Sequence, residues 1–69
     1  MCEFTVLLDS GKDRKEVARN IIKAKIKDGK VVLMDIKGKI TKIDGGVITT
    51  VDTMMAEMII SGGRVQDSH

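Results

Sequence analysis

Proline, tryptophan and tyrosine are absent from the sequence, and cysteine, phenylalanine and histidine occur once each, as Cys2, Phe4 and His69. A single phenylalanine leaves no row of aromatic rings for bases to stack on, the usual device of single-stranded nucleic-acid binders. A single cysteine excludes an internal disulfide. The lone histidine sits at the far end of the sequence from the cysteine, where a terminal residue is ordinarily solvated. No carboxylates are paired at useful spacing, and no glycine motif suits a phosphate. The chain is therefore read as non-enzymatic. No apolar run approaches membrane-spanning length and no signal peptide precedes the first apolar stretch, so the expectation is a cytoplasmic protein in which a thiol stays reduced.

Charge of one sign is not in large excess either: Lys and Arg number 12 against 10 Asp and Glu, a net +2. The lysines are spread along the chain and alternate with acids, which is not the concentrated basic block of a typical nucleic-acid binder. Sixty-nine residues make one small domain, read here as residues 1–62 with a polar tail over 63–69. A domain of this size buries only about 60% of its unfolded surface and usually needs a staple. With a disulfide excluded, the staples left are a metal or a second copy. One Cys2 per chain in a two-fold dimer supplies two thiols that can meet at the axis.

What the sequence does have is alternation. In Met1–Leu8, Cys2, Phe4, Val6 and Leu8 point one way and Glu3, Thr5 and Leu7 the other, as in a strand. Asp9-Ser10-Gly11-Lys12 is a turn by composition. The stretch from Asp13 to Asn20 fits two templates: a short helical turn opened by the Asp13…Glu16 capping-box spacing, or the second strand of a loose hairpin. Ile22, Ala24 and Ile26 then alternate with Lys23, Lys25 and Lys27, a half-exposed strand with a charged wet face. Asp28-Gly29 between two apolar runs is a strong hairpin signal, and Val31–Ile36 pairs back.

Gly38 breaks that strand. Ile40–Ile43 is a short extended piece, Asp44-Gly45-Gly46 a turn, and Val47–Val51 a β-branched strand. Residues 52–60 again admit two readings. Asp52 either caps a helix that ends at Gly62-Gly63 or opens a four- to five-residue loop into a strand over 57–60, the preferred reading. Five to six short strands with glycine turns predict a mainly β protein, a small barrel or sandwich, with room for one short helical turn.

A lone cysteine is most often a small buried hydrophobe. The position of Cys2 argues otherwise, because the first residue of a strand lies at the rim of a sheet. A thiol there, beside the α-amino group, sets two donors for a soft or borderline metal close together. Met34, Met54, Met55 and Met58 carry soft thioethers but are read as core and gap fillers.

Several marks together resemble the CooT family, small nickel-binding proteins that serve maturation of carbon monoxide dehydrogenase. They are the opening Met1-Cys2-Glu3 followed at once by an apolar strand, the turn near residues 9–12, the run Val32-Leu33-Met34-Asp35-Ile36-Lys37-Gly38, and a closing strand pair with Val51-Asp52 at the bend. The resemblance spans roughly residues 1–60. It implies a small SH3-like β-barrel, a homodimer, and one nickel(II) ion held between two chains by Cys2, in delivery or storage for a nickel enzyme. Thiolate and nitrogen donors in a square plane suit nickel(II). Removal of Met1 would free the amine of Cys2, and the Glu3 amide nitrogen could complete one chain's share. Glu3 and Asp35 carry carboxylates able to support a ligand or to serve as ordinary surface charges. The competing function is a small RNA-binding SH3-like module, kept in view by Lys23, Lys25 and Lys27 on one strand face.

Overall fold

The computed structural model describes residues 3–66, and all of their regular structure is β. Seven strands follow in chain order: β1 Phe4–Asp9, β2 Arg14–Lys27, β3 Lys30–Asp35, β4 Ile40–Asp44, β5 Val47–Asp52, β6 Glu57–Ser61 and β7 Arg64–Gln66. They form one sheet in the order β5-β6-β1-β2-β3-β4-β7. Every pairing is antiparallel except β1 with β6, which run parallel with Val6 beside Met58 and Leu8 beside Ile60. Among the described residues there is no helix, and so none long and apolar enough to cross a membrane.

The two open readings both resolve to strand. Residues 14–20 are the first half of β2, and residues 57–61 are β6, entered through a four-residue turn over 53–56. β2 is long because it serves two neighbours. Its first half pairs with β1 and its second half with β3, and the register slips on both sides of Ile21. Asn20 sits at the bend with φ 57° and its carbonyl accepts the Ile36 N–H at 3.0 Å. Asparagine tolerates this left-handed backbone better than most residues, and bulges of this kind turn a strand and raise its twist. The bend lets one strand lie on two sides of the core.

Asp28-Gly29 forms the expected hairpin, with φ 53° and 74° at its two central residues and Lys27 facing Lys30. Two positive φ values are what a type I′ turn requires. Two carboxylates organise the other loops. Asp35 Oδ1 accepts the N–H groups of Lys37 and Lys39 at 2.9 and 2.8 Å. Asp52 Oδ1 accepts those of Met54 and Met55 at 3.1 and 2.9 Å.

Chain connectivity forces the sheet to curl. β4 and β5 lie five places apart in the strand order, as do β6 and β7. At about 4.8 Å per strand a flat sheet would separate each pair by about 24 Å. Each pair is joined by only two residues, Gly45-Gly46 and Gly62-Gly63, a link that spans at most about 11 Å. The two ends of the sheet are thus drawn together along a seam of four glycines. β5 and β7, the end strands, are not paired with each other, so the ladder does not close into a continuous barrel. The stretch expected as a polar tail contributes β7 to this arrangement through pairing with β4.

Alternation along the strands fills the inside of the curl. Val6, Ile21, Val31, Leu33, Ile43, Met58 and Ile60 are buried, with Phe4, Leu8, Val17, Ala18, Ala24 and Ile48 packed against them. Each fully buried aliphatic side chain contributes about 1.5–3 kcal/mol relative to exposure. No polar side chain is buried among the described residues, so the core is held by packing alone.

Candidate metal centre

The chain enters the fold through Glu3, which is exposed and lies just before β1. Cys2, the expected ligand, and His69 lie outside the described residues. Glu3 makes no hydrogen bond or ion pair with the other described residues. Phe4 opens β1 half-buried against the core, and the Thr5 N–H donates to the Ala56 carbonyl at 2.9 Å. That bond fastens the start of β1 to the 53–56 turn, which Asp52 in turn holds in shape.

Around Phe4 the core comes to the surface. A cleft there is lined by Phe4, Ile21, Ile22, Ala24, Val51 and Met58, with Lys23 beside them. Ile22 is 40% exposed and Val51 53% exposed. Ile22 follows buried Ile21 on β2, and Val51 pairs with buried Met58 across β5 and β6, so the cleft borders the core directly. Nothing in the local sequence marks Ile22 and Val51 as a pair, because they are brought together by strand pairing across the whole sheet.

Met54 and Met55 stand at the tip of the turn, 91% and 64% exposed. These two are not core fillers as their apolar character suggests; only Met58 is buried, while Met34 is half-buried. The tip faces solvent because Asp52 directs a tight turn whose Ala56 takes φ 55°.

Among the described residues no three His, Cys, Asp or Glu side chains converge as a metal would require. Asp35, a candidate support for a ligand, is instead occupied with its own turn. Asp9 lies at the far end of β1. Its carboxyl titrates below the ordinary value of 3.8, first because its Oδ1 accepts the Gly11 N–H; desolvation opposes this, and Arg14 beside it lowers the value further.

Comparison with known families gives a match that covers most of the chain. The sequence model of the family described as CO dehydrogenase accessory protein CooT matches residues 1–61, a span that includes Cys2, Glu3 and strands β1 to β6. No curated protein matches.

Proposed function

Because the chain belongs to the CooT family, the CO dehydrogenase accessory proteins, we propose that it serves that role by binding nickel(II) through the Cys2 thiolate, shared between two copies. The single observation that carries this reading is the family match, which begins at residue 1 and so takes in the chain's only cysteine. An accessory role also agrees with the absence of paired catalytic groups in the sequence.

Two features support a shared site. The first is donor chemistry. A thiolate is a soft donor, and nickel(II) lies near the tight-binding end of the divalent series. One thiol per chain supplies a quarter of a square plane, and backbone nitrogen near Glu3 extends it; two chains fill it. The second is the cleft at Phe4. Phe4 follows Cys2 by two residues, so Cys2 lies within about 7 Å of the Phe4 Cα by chain length alone. A second copy seated on Ile22 and Val51 would cover the open end of the core and bring two N-terminal segments together about the symmetry axis. Nickel is here the cargo, held for transfer or storage.

The test is a nickel(II) titration followed by thiolate-to-metal absorption, run beside Cys2→Ser. The expected result is a charge-transfer band that saturates at one nickel per two chains and is absent from the variant, with the fold of both intact. An equal affinity in Cys2→Ser would remove Cys2 from the site.

A further inference from the structure

Strand pairing gathers lysines that are scattered in sequence. On the face of β2, β3 and β4 turned away from the core, three rows cross the sheet. Lys23 faces Met34, which faces Ile40; Lys25 faces Val32, which faces Lys42; Lys27 faces Lys30, which faces Asp44. Five lysines against one aspartate leave a surplus of four positive charges on this face, while the whole chain carries a net +2. None of these lysines is ion-paired among the described residues, where the ion pairs are Arg14–Asp9 and Arg19–Glu16. A shallow depression of about 230 Å³ lies between Lys23, Lys25 and Lys42, and Val32 and Met34 form part of its apolar floor.

We propose that this face docks an acidic protein segment, its carboxylates on the rim lysines and an apolar side chain on Val32 and Met34. Charge complementarity selects an acidic partner, because unpaired lysines this close together repel one another and are relieved by bound carboxylates. The floor selects protein over nucleic acid. A base needs an aromatic surface to stack on, and the chain's one aromatic ring, Phe4, packs against the core instead. The rim is all lysine, which meets carboxylates as point charges and lacks the forked bidentate geometry by which arginine favours phosphate. A half-buried valine and methionine bordered by cations match an apolar residue set among acids, the usual arrangement of an interface with an apolar centre and a polar rim. This surface goes beyond the nickel reading and stands independently of it.

The experiment uses the full-length Cys2→Ser chain in metal-free buffer, so that its failure says nothing about nickel and the failure of nickel binding says nothing about this face. Three probes are titrated into isotope-labelled protein and followed by amide chemical shifts: a peptide with one leucine flanked by glutamates, the same peptide with glutamate in place of leucine, and an oligouridylate of equal charge. The expected result is shifts centred on β2, β3 and β4, tightest binding for the leucine peptide, and weakening as ionic strength rises. Lys25→Glu with Lys42→Glu should weaken that peptide roughly tenfold. Val32→Ser, with an unchanged thermal transition, should abolish the preference for leucine over glutamate. Absence of shifts on this face, unchanged affinity in the lysine variant, or tighter binding of the oligouridylate would each overturn the proposal, the last in favour of a nucleic-acid surface.

Discussion

Gly46 and Gly63 stand back to back: a Cβ placed on Gly63 would lie 2.7 Å from the Gly46 nitrogen and 2.8 Å from its Cα. The same Cβ would meet the Asp44 carbonyl at 2.9 Å, and Gly63 also holds φ +86°. One on Gly46 would meet Ile60 Cγ2 at 2.6 Å and Ile43 Cγ2 at 3.0 Å. The two short links that draw the sheet's ends together therefore pass each other at a distance only glycine permits.

Gly63→Ala is expected to destabilise the fold by about 2–4 kcal/mol, since it adds a backbone collision to a strained φ. Gly46→Ala should cost less, about 1–3 kcal/mol, because Gly46 does not hold a left-handed φ and the atoms nearest its Cβ would be side-chain methyls rather than backbone. Gly38→Ala, with φ +86° but open space around it, should cost only about 1 kcal/mol. Urea unfolding of the three variants checks the order.

Asp35→Ala removes the acceptor for two backbone donors, Lys37 and Lys39. A loss of about 1–2 kcal/mol is expected, together with large amide shifts confined to residues 36–39. A variant with full stability and unmoved amides would show that the turn is set by Gly38 alone.

Leu33 is wholly buried at the centre of β3. Leu33→Ala should cost about 2–5 kcal/mol in urea unfolding. Lys25→Ala, one strand over on the exposed face, should cost within about 0.5 kcal/mol.

The Asp9 carboxyl has a pKa below the ordinary 3.8, owing first to the Gly11 N–H and then to Arg14. A depressed folded-state pKa means that the unfolded chain binds the proton more readily. Its contribution to stability is thus complete above 3.8 and is lost as pH falls from there through the lower folded value. Asp9→Asn should flatten this part of the acid limb, as denaturation measured across pH would show.

If two copies share the Phe4 cleft, Val51→Glu should turn a dimer into a monomer in sedimentation, at little cost to the fold. Nickel affinity should fall with it. A Val51→Glu chain that still sediments as a dimer would place the contact elsewhere.

The legible parts of the fold were those decided by neighbouring residues. Asp28-Gly29 names its own turn, the alternation around Val6 names a strand, and so do the β-rich runs that begin at Val31 and Val47. Residues 13–20 and 52–60 were ambiguous because their capping signals serve a helix or a tight loop equally well. Asp52 does take up the N–H groups of Met54 and Met55, but as a turn rather than a helix. What settles both is pairing with distant strands, with β1 for residues 14–21 and with β1 and β5 for residues 57–61. β7 escaped for the same reason: Arg64-Val65-Gln66 has no apolar pattern of its own and is a strand by virtue of β4. At the candidate site, Cys2 is singled out by its position and by the family marks around it, and it lies outside the described residues. The cleft of Ile22 and Val51 was not legible, since one lies on β2 and the other on β5. The lysine face was half legible, with Lys23, Lys25 and Lys27 alternating in sequence while Lys30 and Lys42 join only across the ladder.

The parallel pairing of β1 with β6 has a consequence for how the chain reaches its structure. Val6 finds its neighbour, Met58, 52 residues further along the chain, and both glycine links must be formed before the sheet's ends can meet. Contacts this distant in sequence make for slow folding relative to chain length, because the loops must close before the pairing rewards them. No N-terminal piece that stops before β6 holds β1 on both sides. The strand that leads from Cys2 gains its full support last, in the same cooperative event that completes the sheet.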